Sequence, residues 1–359
     1  MIEKDRAPNN SSSEESSSFD ILTENNTDAP ATSWDDLSQV AFKGEIDNQR
    51  KIDLYDADLN KVENSERHER ISESIDMIKD FVVENYGIDE GLLQKRIDHI
   101  SAVDWKINTP HKVQYNDKIF SPKTGAGATA FNEKRRTIRD GDNWSFENAV
   151  YFDDSVSSHD LRHELTHALS ANDTMSLNEK GIAYDKIGLK VVGYNDNEDR
   201  IDNSLNANGL NEGLTELLAT KIDHNESPQA YDGQVYVADM LVSPNNPKLV
   251  EAYFSENEDS FRDFLADFEN RQDSIDGAKL TELSVKQNII DDDLAKACIE
   301  YSLSYCNNEE QLASEQARLE KIANQIVIYN EEDLNTAQIL QQAVAKRREE
   351  LTKNAQTGE

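Results

Sequence analysis

Residues 159–173 read HDLRHELTHALSAND, and three of the chain's seven histidines fall within its first nine positions. His163 and His167 stand four apart. On an α-helix that spacing puts them on one face, one turn apart, where two imidazoles can hold a single ion. Leu161, Leu165, Ala168 and Leu169 recur at helical steps, and Ser157 or Ser158 is a suitable N-cap just before them. A strand is expected immediately upstream, over NAVYF at 148–152.

Glu164 follows His163 directly and so projects beside the pair. The five residues His163-Glu164-Leu165-Thr166-His167 form an H-E-x-x-H arrangement. In such a site the metal lowers the pKa of water, the glutamate takes the proton, and the hydroxide attacks a carbonyl. A catalytic zinc needs a third protein ligand and an open position. Asp173 is one candidate, six residues after His167. There H-E-x-x-H-x-x-G-x-x-H/D sequences place their last ligand, but Ser170 replaces the glycine on which that pattern turns, and no methionine turn follows. His159 is a second candidate, one turn before His163, at the helix start or the rim of the site. Glu212, in GLNEGLTE at 209–216, is the third. It shares a helix face with Glu216, so one carboxylate can ligate while the other accepts a hydrogen bond from a ligand histidine's second nitrogen. Leu210, Leu214, Leu217 and Leu218 pack that helix, and Gly213 lets it approach a neighbour closely.

Outward from these segments the pattern is mixed. Helices are expected from Ser65 to a stop at Gly87, and from Asp89 to Ala102. Residues 103–154 read as short strands and turns, and KTGAGATA at 123–130 as a flexible loop. Residues 181–194 read as a hairpin or two short strands, 195–207 as an acidic loop, and 211–223 as a helix. Five further helices are expected at 230–243, 247–271, 278–305, 308–329 and 332–353. The fold class is therefore α+β, with a small mixed sheet, an active-site helix and a mainly helical C-terminal part. We divide the chain into a disordered, Ser-rich acidic tail (1–36), a polar linker or docking segment (37–65), a catalytic domain (66–245) and a helical subdomain (246–359).

The 359 residues carry 71 acidic against 37 basic side chains, for a formal net charge of −34. Such a surface repels nucleic acid and anionic membranes, so neither is an expected partner. No apolar run approaches a membrane span, and MIEKDRAPNNSSSEESSSFD has no apolar core of signal-peptide length. The expected location is the cytoplasm, or outside the cell by a route without an ordinary signal peptide. Cys298 and Cys306 lie far from the histidines without a CxxC spacing, which argues against a cysteine zinc site. Both are expected as free thiols on one helix.

Together, His163-Glu164-x-x-His167 and Asn211-Glu212-x-x-x-Glu216 resemble the gluzincin zinc peptidases. The 45 residues from His167 to Glu212 resemble the lethal-factor type in spacing more than the thermolysin type. That resemblance covers about 65 residues, from Ala149 to Asp223, and implies a zincin-like domain. By it His163, His167 and Glu212 hold Zn2+, Glu164 is the catalytic base, and Glu216 stands behind a ligand. The implied function is a zinc-dependent endopeptidase acting on a peptide or protein. Gluzincins steady the oxyanion with a Tyr or His; Tyr231 and Tyr194 are the choices here, ahead of His224 and Tyr236. The substrate would pair with NAVYF as an edge strand, with Glu147, Asp153 and Asp154 favouring basic or polar sequences. One alternative is a metzincin-like peptidase using Asp173. Another is a non-catalytic scaffold with a structural metal, binding partners through Leu312, Leu319, Ile322, Ile326, Val327 and Ile328.

Overall fold

Ile71, Ile75, Ile78 and Val82, spaced three and four apart, are all buried and form the inner face of α1 (Ser65–Tyr86). The helix stops where expected. Gly87 adopts φ +68, and its N–H donates to the Val83 carbonyl, a left-handed cap that glycine takes without strain. The computed structural model describes residues 20–23, 32–33, 65–98, 100–104, 113–115, 118–122, 130–140, 142–152, 156–195, 201, 205–225, 227–283, 290–329 and 336–357.

The next helix, α2 (Glu90–Ile97), begins at Asp89, whose side chain accepts from the Leu92 N–H. It ends five residues before the expected Ala102. Ile100–Asp104 is instead strand β3, parallel to Asn148–Phe152. The window is short enough to fit either period, and pairing with a neighbouring strand decides it.

The tail expected to lack structure supplies two short strands, β1 (Asp20–Thr23) and β2 (Thr32–Ser33). They join β4 (Val113–Tyr115) and β5 (Lys118–Pro122) in a sheet of order β2-β1-β5-β4. Its apolar residues Ile21 and Leu22 register against Ser121 and Pro122, the kind of pairing an otherwise polar tail can still make. The remainder of 1–36, the linker at 37–64 and residues 123–129 of the glycine-rich loop lie outside the described residues.

A second sheet matters more for the site. β6 (Ala130–Asp140) and β7 (Asn143–Phe152) are antiparallel; β7 also carries β3 along Asn148–Phe152 and β8 (Thr174–Ser176) along Asn143–Ser145. NAVYF is therefore flanked on both sides and is not an edge. A strand hydrogen-bonded to two neighbours has no free N–H or C=O row to offer. β6 is one edge of this sheet, and it packs against α3 (Ser158–Ser170), the helix of the histidines. β9 (Ile182–Ile187) and β10 (Lys190–Asn195) form the expected hairpin.

The remaining described elements are helical: α4 (Asn208–Ile222), α5 (Asp232–Leu241), α6 (Lys248–Phe254), α7 (Ser260–Arg271), α8 (Ala278–Thr281), α9 (Asp292–Ser304), α10 (Glu309–Tyr329) and α11 (Thr336–Thr357). Two expected long helices are broken. Between α6 and α7, Ser255 Oγ accepts from the Asn257 N–H and Asn257 Oδ1 from the Asp259 N–H; such local bonds compete with the helical ladder. Similarly, Asp291 accepts from the Leu294 N–H and starts α9 afresh. Because α9 ends at Ser304, Cys306 lies beyond it; both thiols are buried and free.

One apolar core runs from Ile71 through Leu165 and Leu214 to Leu312, Leu319, Ile322 and Val344. The C-terminal helices share this core with the histidine helix, so Leu312, Leu319 and Ile322 are occupied internally. A smaller cluster joins Trp144, Met175, Ala183, Val192 and Tyr194. Among the described residues no helix is long and apolar enough to cross a membrane.

Candidate metal centre

Both ends of α3 are fastened. Ser157 Oγ accepts from the Asp160 N–H at the start, where a serine cap contributes about 1 kcal/mol. Near the end, wholly buried Arg96 donates from Nη1 to the Leu169 carbonyl at 2.7 Å. Burial lowers the Arg96 pKa to about 10. Leu161, Leu165 and Leu169 turn inward, which leaves His159, His163 and His167 along the face toward α4. That helix lies close against α5. A Cβ on Gly213 would sit 2.4 Å from the Gln234 carbonyl carbon, so the approach requires glycine. Gly188, at φ +58 in the β9–β10 turn, has the same role toward Asn211 and Tyr253.

The two faces meet as a ladder. His163 Nε2 lies 3.3 Å from Glu212 Oε2, and His167 Nε2 lies 3.2 Å from the same oxygen. All three donor atoms fall within 4.8 Å of one another. The imidazole centroids are 5.0 Å apart with their planes at 73°. A tetrahedral ion about 2.05 Å from each donor would set those donors about 3.3 Å apart, so the two nitrogen–oxygen distances suit a zinc-sized ion.

His159 lies between Glu216 and Asp223, and Arg162 pairs with Asp223. Burial alone would lower the His163 pKa, but the hydrogen-bonding carboxylates of Glu212 and Glu216 outweigh it and raise it to about 10. Burial likewise opposes the charged form of Glu212, yet His167 and His163 hold it well below the usual carboxylate range. Positive charge is favoured at the point where the three donors converge. His163, His167 and Glu212 together could hold a metal ion.

Each histidine is also held from behind. His163 Nδ1 donates to Glu216 Oε2 at 3.0 Å, which frees Nε2 as a ligand. Glu216 is 2% exposed, and its other oxygen accepts from His159 Nε2 (2.9 Å) and from the N–H groups of Gln229 (2.8 Å) and Ala230 (3.2 Å). His159 Nδ1 lies 2.6 Å from Asp223 Oδ2, and Arg162 pairs with the other Asp223 oxygen. Around His167, Nδ1 lies 3.3 Å from Thr215 Oγ1. That hydroxyl donates to the Asn211 carbonyl at 2.8 Å and lies 2.6 Å from Tyr253 Oη. A threonine oxygen gives one hydrogen bond and accepts two, so His167 Nδ1–H and Tyr253 O–H fill it. Tyr253 is placed by Lys186, whose buried ammonium donates to the Ala252 and Tyr253 carbonyls at the end of α6.

Tyr231 stacks over His163, with centroids 5.9 Å apart and planes at 28°. Its φ of 55 is left-handed, a strain of about 1–3 kcal/mol for a residue with a bulky side chain. Burial, then Glu212, Glu164 and Glu216, push its phenol pKa up and keep it neutral. Glu164 is half-buried, and its charge acts on both His163 and Tyr231.

The other candidates lie elsewhere. Tyr194 packs in the small cluster with Trp144 and Val192 and is outside the ligand set. Tyr236 is in the main core, and His224 is exposed just past α4. Asp173 is outside the three-residue cluster; it pairs with Lys95 at 3.2 Å beside α2. His159, at the rim by the sequence reading, is buried one step behind Glu216. Thr215, Tyr253 and Arg96 carried no sequence signal: hydroxyls and buried cations at long range have no periodicity to betray them.

No protein-family model, curated protein or solved structure matches the chain.

Proposed function

We propose that the chain is a zinc-dependent endopeptidase. One observation carries the reading: Nε2 of His163 and of His167 converge on Glu212 Oε2 at tetrahedral-edge distances, with Glu164 next in sequence to the first of them. Zinc bound there would supply Lewis acidity and bring the pKa of water toward neutrality. Glu164 takes the proton from the attacking water and passes it to the departing amine. Tyr231, kept protonated by its surroundings, donates a hydrogen bond to the peptide oxygen as negative charge develops there. Glu216 and Thr215 fix the tautomers and ring orientations of the two histidines.

The peptide would add as a strand to β6 rather than to β7, since β6 is an edge of the sheet and packs on α3. In sequence β6 is AFNEKRRTIRD, with Lys134, Arg135, Arg136 and Arg139. A basic edge favours acidic peptides, the opposite of the preference expected from Glu147, Asp153 and Asp154. Cleavage of a randomised peptide library by the parent and by Glu164→Ala, with zinc measured on both, tests the proposal. Cleavage by the parent alone, with zinc in both, supports it; a parent without divalent metal overturns it.

A further inference from the structure

His159 faces a carboxylate at each ring nitrogen: Glu216 Oε1 at 2.9 Å from Nε2 and Asp223 Oδ2 at 2.6 Å from Nδ1. A neutral imidazole has one N–H, so one of these contacts would set a lone pair against an oxygen anion. Both are short, and all three side chains are largely withdrawn from water. The ring therefore carries both protons and serves as a cation between two acids. The opposite ends of the chain are fixed as well: Arg162 holds Asp223, and the amides of Gln229 and Ala230 hold Glu216.

Glu216 has to hold one carboxylate oxygen toward His163 Nδ1. A carboxylate on a two-carbon stem can rotate, and the single bond to His163 does not fix its plane. His159 and the two amides all bind Oε1, which leaves Oε2 for His163. We propose that His159 is a positioning residue for the metal site: as a doubly protonated bridge between Asp223 and Glu216, it orients the carboxylate that orients His163, and so sets the affinity for the metal. The bridge touches no ligand atom and no substrate. The inference rests on the metal-site reading above, and it concerns affinity rather than catalysis.

The test is Zn2+ affinity of the purified full chain, by competition with a chromogenic chelator, for the parent, His159→Gln, Glu216→Gln and the double variant. The melting temperature of each metal-free protein is measured alongside. Glutamine has a single nitrogen and cannot place donors at both ring-nitrogen positions. His159→Gln is expected to weaken zinc binding about tenfold, the low end for residues behind a ligand histidine. The double variant should bind no more weakly than Glu216→Gln, because the two act in series. Asp223→Asn, at the outer end of the bridge, should shift affinity in the same direction and serves if His159→Gln does not fold. Parent-like affinity in the tested bridge variant overturns the inference, as does a double variant whose losses multiply. A parent that binds no divalent ion overturns the metal site itself, and the bridge with it.

Discussion

Glu216 Oε2 lies 3.0 Å from His163 Nδ1, on the far side of the ring from Glu212, so two carboxylates one helical turn apart on α4 hold one imidazole by both its nitrogens. Their surroundings separate their tasks. Glu216 is 2% exposed and accepts four hydrogen bonds, three at one oxygen and one at the other. Glu212 is more open and touches only the two Nε2 atoms among the described residues. Glu212 is thus the carboxylate that could hold an ion with His163 and His167, and substitutions at the two positions should have different consequences.

Glu212→Ala should lose stoichiometric zinc, whereas Asp173→Ala should keep it, with elemental analysis of the purified proteins as the measurement. Chelation should lower the melting temperature of the parent and of Asp173→Ala but leave Glu212→Ala unmoved, because only a bound ion stabilises by mass action. Zinc retained by Glu212→Ala and lost from Asp173→Ala would transfer the ligand role to Asp173.

Glu164→Gln should retain zinc while peptide hydrolysis falls by about 10²-fold or more, the usual scale for loss of a general base. The side chain keeps its size and loses its basicity. Hydrolysis at the parental rate would remove Glu164 from the chemistry.

Tyr231→Phe keeps the ring that stacks on His163 and removes the phenol. If the hydroxyl meets the developing oxyanion, kcat should fall about 10²–10³-fold with KM little changed. Tyr231→Ala should in addition weaken zinc binding through loss of the stack. Equal kcat in Tyr231→Phe and the parent would assign the residue to packing alone.

Outside the candidate metal site, Asp267 accepts from Tyr301 Oη (3.0 Å), Arg271 Nε (3.0 Å), Lys248 Nζ (3.0 Å) and Tyr305 Oη. Burial works against its charge, but these donors hold its pKa near 2 against an ordinary 3.8. A depressed carboxylate contributes stability that is present above the unfolded value and is lost as pH falls toward the folded one. Asp267→Asn should therefore cost about 2 kcal/mol at neutral pH. In urea titrations the gap from the parent should narrow between about pH 4 and pH 2. A gap independent of pH would mean that shape, not charge, matters at this position.

The fold was legible where apolar spacing was long and regular. The inner face of α1, the face of α3 and the β9–β10 hairpin follow directly from residue order. Legibility failed where an apolar run was short, as at Ile100–Asp104, and where polar side chains such as Asn257 and Asp291 captured backbone amides and broke a helix that hydropathy would continue. In the site, the steps of four from His159 to His163 to His167, and from Glu212 to Glu216, were visible. Their register was not. Running in opposite directions, the helices set His167 against Glu212, His163 against both acids, and His159 against Glu216 and Asp223. Only the antiparallel crossing makes His159 a neighbour of Glu216 rather than a spare ligand. Tyr253, 86 residues from His167 in sequence, reaches it through the core alone.

The nine residues between α4 and α5 reach the site by main chain as well as by side chain. Gln229 and Ala230 are exposed residues, as Ser227 beside them is, yet they give their amide protons to buried Glu216. Those two protons are thus placed as built-in reporters. Their exchange with solvent deuterium should slow when the site closes around an ion and quicken when it empties, while amides at the exposed positions beside them exchange at an unchanging rate. Occupancy of the centre could be followed in the intact protein at two backbone positions, without a substrate and without any substituted residue.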